Sequence, residues 1–294
     1  MRKRGSLIEF GRHKLSIFNQ HYFYLCQKSI YSINMTKKTI NQLAKQLREA
    51  YATRTACLPL RDIIGMEDLA SAYAIQEVNN NLLIKNGARV VGRKIGLTSK
   101  AVQAQLGVDQ PDFGILLNTM EVLNNDSISM SELMQPKVEA EIAFVLGKDL
   151  PAHELSAHEL ISAIDYALAS IEIVGSRIEN WNIKITDTIA DNASASHFVL
   201  GHQPVKLANL DLVNCEMQMT KNGEIVSEGK GSACLGSPLN ATLWLVNTMA
   251  RLGTPLQAGE VILSGALGPM AGVAAGDTFE ASFTGLGSVS VSFV

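Results

Sequence analysis

From Arg89 onward the chain breaks into short β-branched and aliphatic runs set between Gly, Pro, Asn and Asp, among them "RVVGRKIGL", "DFGILLNTM", "KVEAEIAFVLG", "YALASIEIVGS" and "SHFVLG". Runs of this length between turn formers read as strands. "CEMQMTKNGEIVSEG" places Asn222-Gly223 where a two-residue hairpin turn needs positive φ, and "DTFEASFTGLGSVSVSFV" reads as a second hairpin through Gly285 to Gly287. One helix interrupts this region, "SPLNATLWLVNTMARLG". The front of the chain is different. Residues 36–50 have an amphipathic pattern that Thr36 is placed to cap. In "MEDLASAYAIQEVNNNLLIKNG" the residues Leu69, Ala72, Tyr73, Ile75, Gln76 and Val78 follow a 3.6-residue period that Gly87 stops. The pattern predicts an α+β protein: a small helical N-terminal part over residues 35–89, packed on a β-rich body over residues 90–294.

Composition narrows the function. With 294 residues, 47% of them hydrophobic, the chain can bury a sizeable core. A formal net charge of -3 gives no pull toward nucleic acid or anionic membranes. No apolar run approaches the roughly 18 residues a membrane span needs. The four cysteines, Cys26, Cys57, Cys215 and Cys234, show no C-x-x-C spacing, which argues against a disulfide framework or a zinc knuckle and fits a reducing cytoplasm. Residues 1–34 stand apart as basic, aromatic-rich and aperiodic. Polar residues interrupt every stretch that might serve as the apolar segment of about 7–15 residues in a signal peptide. They read as a leader outside the body of the protein, disordered or upstream of a true start at Met35. Its charges do not cluster beyond "RKR", so it does not read as an arm for nucleic acid.

"PKVEAEIAFVLG" poses a chemical problem. Strand side chains alternate, so Glu139 and Glu141 share one face while Val138, Ala140, Ile142 and Phe144 share the other. Two neighbouring carboxylates raise each other's pKa, and burial raises both further. Either the face is solvated, with Lys137 or Lys148 as counter-charge, or a cation sits between the acids. "YALASIEIVGSRIENW" adds Glu172, another acid flanked by Ile171, Ile173 and Val174. Three carboxylates with no His or Cys nearby form a hard donor set suited to Mg²⁺ or Mn²⁺ and unsuited to zinc. By itself an E-x-E pattern is weakly specific.

"RKIGLTS", "LGVDQPDFG", "QPKVEAEIAFVLGKDLP", "IEIVGSRIENW", "DTIADNAS" and "LSGALGP", in this order, resemble the 2-keto-4-pentenoate hydratases (2-hydroxypenta-2,4-dienoate hydratases) of the fumarylacetoacetate hydrolase superfamily. The resemblance spans residues 35–294 and leaves out the leader. It implies a mixed β-roll body, a divalent metal on Glu139, Glu141 and Glu172, and a cytoplasmic homo-oligomer, a decamer in this subfamily. It also implies a small-molecule 2-hydroxy-2,4-dienoate substrate from meta-cleavage of aromatic rings, hydrated at carbon 4, and association with other enzymes of that route.

Within the matched motifs Lys94 and Asp112 are the candidate catalytic groups. Lys94 lies in an apolar run where desolvation lowers an ammonium pKa and a neighbouring carboxylate opposes the change. Without the resemblance the preferred reading is a strand-edge lysine snorkelling to water. Asp112, between Pro111 and Gly114, suits either a positioned base or a turn cap. Asp191, Asn192, Ser194 and Ser264 are candidate substrate contacts. Asp187, Asp191 and Asn192 serve equally well as caps or Asx-turns, and Lys184 reads as surface. The hydrolytic members of the superfamily use a His-containing dyad. Here His13 and His21 lie in the leader, His153 and His158 flank an exposed helix start, and His197 reads as packing. Two alternatives remain: a 4-oxalocrotonate decarboxylase, which needs a pocket for a second carboxylate, and a non-catalytic partner subunit of such a decarboxylase.

Overall fold

The computed structural model describes residues 34–100, 103 and 108–294; the leader reading therefore lies outside the described residues, its last residue apart. The described elements are α1 (Lys37–Thr53), α2 (Arg61–Ile64), α3 (Leu69–Lys85), β1 (Val90–Gly96), β2 (Asp112–Leu117), β3 (Glu121–Val122), β4 (Ser127–Ile128) and β5 (Lys137–Leu146). They continue with α4 (Ala157–Ala163), β6 (Ile164–Val174), α5 (Ile185–Ala190), β7 (Ala195–Leu200), β8 (Glu216–Lys221) and β9 (Glu224–Lys230). Last come α6 (Pro238–Arg251), β10 (Val261–Ala266), β11 (Ala271–Gly272), β12 (Thr278–Phe283) and β13 (Gly287–Phe293). Among the described residues no helix is long and apolar enough to cross a membrane.

Local chemistry explains the ends of these elements. The Thr36 hydroxyl accepts the Thr39 N–H at 3.2 Å and caps α1, whose buried Ile40, Leu43, Ala44, Leu47 and Ala50 form one stripe. Asp68 caps α3 by accepting from the Ser71 N–H at 3.0 Å. Ser237 caps α6 with Pro238 at the first helical position, where its missing N–H costs nothing. Asn222 and Gly223, at φ 52° and 88°, make the β8–β9 turn.

The strands form two mixed sheets. The larger follows the order β2-β1-β10-β5-β6-β7-β3, with β11 pairing onto β5; the smaller follows β4-β13-β12-β8-β9. β1 runs parallel to β10 and β3 to β7, while β5 pairs antiparallel with both β10 and β6. One face of the large sheet, carrying Val138, Ala140, Ile142 and Phe144, packs against Phe279, Val289, Val291 and Phe293 of the small sheet and against Leu245 and Met249 of α6. The opposite face of β5 begins with Glu139 and Glu141 and continues with Ala143 and Val145. These last two join a separate apolar cluster with Leu116, Leu168, Phe198, Val261 and Leu263. The carboxylates thus stand at the end of a face whose remainder is dry.

The helical part shares a core with the body. Leu43, Leu47, Leu60 and Ile75 pack with Ile178, Ile185, Ile189 and Ala190. The Asp187 carboxylate locks this junction, accepting the N–H groups of Leu60 and Arg61 at 2.8 Å each and the Arg61 guanidinium at 2.6 Å.

Candidate active site

The β5–β6 register sets Glu139 opposite Glu172 and Glu141 opposite Ser170, so three carboxylates converge on one face of two adjacent strands. One oxygen from each lies within 4.8 Å of the others. Glu141 and Glu172 are buried, and Glu139 is partly exposed. The β5–β10 ladder shifts register between Leu263 and Ala266, and at that bulge Gly265, at φ 107°, turns its N–H onto Glu141 Oε2 at 2.7 Å. A Cβ at Gly265 would lie 2.2 Å from Thr98 Oγ1, so the bend requires glycine.

Lys94 arrives from β1, in register with Leu263 on one side and Gly114 on the other. Its Nζ lies 3.2 Å from Glu172 Oε1 and donates to the Ala193 carbonyl at 2.9 Å. Asp112 arrives from β2, opposite Gly96, where a Cβ would fall 2.2 Å from Asp112 Oδ1 and 3.5 Å from Lys94 Nζ. Lys94 and Asp112, 18 positions apart in the sequence, therefore meet over a glycine that leaves both side chains their room. Neither the snorkelling lysine nor the turn-capping aspartate describes these two buried groups.

Electrostatics point to a cation site. Both Asp112 oxygens and both Glu172 oxygens are buried with no hydrogen-bond partner among the described residues, and Glu172 has the Lys94 ammonium at 3.2 Å as its counter-charge. An uncompensated buried carboxylate costs several kcal/mol. Burial raises the Asp112 and Glu139 carboxyls, with Lys94 opposing. Burial, then the neighbouring Glu172 and Glu139, lifts Glu141 well above the usual carboxylate range. Burial brings Glu172 to about 7 against the pull of Lys94. At Lys94 burial lowers the ammonium pKa, yet Glu172, Asp112, Glu139 and Glu141 together outweigh it and the result is raised. The lowering by desolvation expected from the sequence is present but outweighed. Four carboxylates face one ammonium, and the set of hard oxygen donors fits a divalent cation.

The remaining candidates divide. Ser264 on β10 carries a buried hydroxyl without a partner, adjacent to the Gly265 N–H at Glu141. Asp191 is engaged by the protein: it accepts the Arg177 N–H at 2.9 Å and pairs with the Arg177 Nε, while Arg177 Nη2 donates to the Asp191 carbonyl at 2.6 Å. Asn192 is engaged too, its amide pairing with both backbone groups of Ile115, and the Ser194 hydroxyl lies 3.1 Å from that of Thr188. All three side chains are thus held by hydrogen bonds to the protein. Asn192, Ala193 and Ser194 all have left-handed backbones, at φ 55°, 51° and 61°. This conformation costs roughly 1–2 kcal/mol per non-glycine residue.

Two residues near the site escaped the sequence reading. Arg177 was visible as a basic residue in "IEIVGSRIENW", but nothing marked its carboxylate partner. Cys234 donates its thiol to the Ser264 carbonyl at 2.7 Å and is pushed up to about 12 by burial; its isolated spacing offered no signal. Among the described histidines, His153, His158 and His202 are exposed, and His197, opposite Ile173, faces away from Glu172.

Residues 89–294 match the fumarylacetoacetate (FAA) hydrolase C-terminal family. The chain is 55% identical over 250 residues to 2-keto-4-pentenoate hydratase 1 of Dechloromonas aromatica (strain RCB), covering 85% of this chain and 95% of that one. It is 43% identical over 259 residues to 2-hydroxyhexa-2,4-dienoate hydratase of Comamonas testosteroni, covering 87% and 98%. Among solved structures, 4-oxalocrotonate decarboxylase from Pseudomonas putida G7, complexed with magnesium and adipate, superposes with a TM-score of 0.85 at 33% identity, covering 90% of this chain and 100% of that one. The mixed-sheet fold is thus shared with these proteins, and the chain belongs to the fumarylacetoacetate hydrolase family, within its 2-keto-4-pentenoate hydratases.

Proposed function

We infer that the protein is a hydro-lyase that adds water to 2-hydroxypenta-2,4-dienoate (2-keto-4-pentenoate), giving 4-hydroxy-2-oxopentanoate in meta-cleavage degradation of aromatic compounds. The observation that carries this reading is the meeting of Glu139, Glu141 and Glu172 with Lys94 and Asp112, in a chain more than half identical to a named hydratase.

The terminal alkene of the substrate is conjugated to an electron-rich enol and does not take up water until the remaining double bond is conjugated to a 2-oxo group. The enol proton leaves oxygen 2, a proton enters at carbon 5, and the remaining double bond moves between carbons 3 and 4. Water then adds its oxygen at carbon 4 and a proton at carbon 3, so atoms balance without any redox partner. Glu139, Glu141 and Glu172 would hold Mg²⁺ or Mn²⁺. Such an ion supplies Lewis-acid stabilisation of negative charge developing on the 2-oxygen. Asp112, held above its usual pKa by burial, is suited to taking and returning a proton. Lys94, kept protonated by the surrounding acids, offsets charge at the reacting end and donates a hydrogen bond. Ser264 brings a free hydroxyl toward the substrate's carboxylate end.

The decarboxylase reading is favoured by the structural likeness to the P. putida enzyme. It requires a cation for a second carboxylate. The buried cations described are all committed: Lys94 to Glu172 and Ala193, Arg177 to Asp191, and Arg93 to the Gly92 carbonyl, with Glu260 3.7 Å away. Loss of dienoate absorbance with Mg²⁺ or Mn²⁺, abolished by EDTA and unaccompanied by CO₂, is the expected result. CO₂ release from 2-oxohex-3-enedioate would reverse the assignment. Tight binding to a decarboxylase without turnover would favour a scaffold role. The same reading proposes a cytoplasmic homo-oligomer, a decamer, to be sized by light scattering.

A further inference from the structure

We propose that Asn192 is a positioning residue for Lys94: its side-chain amide holds the Ala193 carbonyl against the Lys94 ammonium. The inference rests on the reading that Lys94 takes part in the reaction.

β2 is the outer strand of the large sheet, so backbone groups of Ile115 face away from β1 with no strand to receive them. The Asn192 amide takes that place. Oδ1 accepts the Ile115 N–H at 2.9 Å, and Nδ2 donates to the Ile115 carbonyl at 3.0 Å, as a neighbouring strand would. Asn80 Nδ2 donates to the same Oδ1 at 3.2 Å and ties the arrangement to α3. The turn is pressed close to the strand. A Cβ at Gly114 would lie 2.3 Å from the Asn192 carbonyl oxygen, and Gly114 is the residue in register with Lys94.

The backbone of this turn is only partly held by its own bonds, from the Ser194 N–H to the Asp191 carbonyl at 3.0 Å and from the Ala195 N–H to the Asn192 carbonyl. Three successive non-glycine residues in the left-handed region persist only where surroundings impose them. At one end Asp191 is clamped by Arg177, and at the other the Ser194 carbonyl accepts the Gly175 N–H at 2.9 Å. In the middle, the Asn192 amide ties the turn to the edge of the sheet, and there the Ala193 carbonyl receives Lys94 Nζ at 2.9 Å. Without the amide Ala193 relaxes, and Lys94 loses its backbone partner and is drawn by the three glutamates toward the cation cradle, off the position in which it meets Asp112. With Oδ1 doubly engaged and Nδ2 on Ile115, Asn192 is poorly placed to bind substrate.

The test measures turnover of 2-hydroxypenta-2,4-dienoate, Mn²⁺ binding by electron paramagnetic resonance, and thermal melting for Asn192→Ala in the full chain. The expected result is a kcat loss of about 10–100-fold, the scale of an ångström-level misplacement, with KM and the Mn²⁺ dissociation constant within about threefold. Asn192→Ala/Ala193→Gly is expected to recover at least about fivefold of that loss, because glycine holds positive φ unaided. Unchanged kcat, a raised KM with kcat kept, or no recovery in the double variant overturns the proposal. If Asn192→Ala does not fold, Asn192→Asp, which keeps the shape and loses the donor to Ile115, carries the same expectation. Lys94→Met separates the two levels: wild-type turnover there sinks the reading of Lys94 itself, whereas a dead Lys94→Met beside a normal Asn192→Ala sinks the positioning role alone.

Discussion

Glu139 and Glu172 face each other across the β5–β6 ladder, in register and on the same side of the sheet. Directly opposed like charges destabilise a strand pair, by about 0.2–1 kcal/mol even at exposed positions. The fold brings this pair together and adds Glu141 beside it, which makes physical sense only as a cradle for positive charge.

Glu139→Gln separates binding from stability, because among the described residues Glu139 is the acid of the three without a hydrogen bond or ion pair to lose. Metal affinity is expected to fall by at least about 10–100-fold, the range for groups that merely support a metal ligand. The metal-free protein is expected to melt about 1–4 °C higher, since one repulsive charge has gone. Isothermal titration with Mn²⁺ and melting curves in EDTA check both directions.

The pH dependence follows from the same acids. Glu172, brought to about 7 by burial, and Glu141, lifted by burial well above its ordinary value, bind protons more tightly folded than unfolded. The stability of the metal-free protein therefore falls as pH rises from about 4.5 through 7 and beyond, because the fold increasingly holds unpaired charge. Divalent metal displaces those protons, so its affinity rises over the same interval and binding releases protons. Melting temperature against pH, with EDTA and with Mg²⁺, is expected to give a declining curve only in EDTA. Proton release in weakly buffered calorimetry is the second check.

Asp112→Asn keeps the shape of the side chain and removes its capacity to take a proton. The expected loss in kcat is about 10²–10⁴-fold, the usual contribution of a general acid or base. Mn²⁺ affinity is expected to stay within a few-fold, since Asp112 lies outside the cluster of three glutamates. Parallel loss of Mn²⁺ binding and turnover would instead make Asp112 a metal ligand.

Gly265→Ala tests the bulge. A methyl group there meets Thr98 at 2.2 Å on a backbone with φ 107°, so the strand must straighten and withdraw its N–H from Glu141. A stability loss on the order of 1–3 kcal/mol is expected, with weaker metal binding. Denaturant melts and Mn²⁺ titration measure the two effects.

Much of this architecture is local and so was written in the sequence. Thr36 caps a helix because its hydroxyl reaches three residues on, and Asn222-Gly223 turns because both tolerate positive φ. Strand alternation places Glu139 and Glu141 on one side and Val138 and Ala140 on the other whatever the partner strand. What the tertiary structure alone decided is the pairing of distant segments. The β5–β6 register set Glu172 against Glu139, and a bulge 124 residues downstream of Glu141 delivered the Gly265 N–H. The helix-to-strand turn committed Asp191 and Asn192 to Arg177 and Ile115. Period and composition carry no register, and an acidic or amide side chain has the same appearance in a sequence whether it meets a cation, a guanidinium or the edge of a sheet.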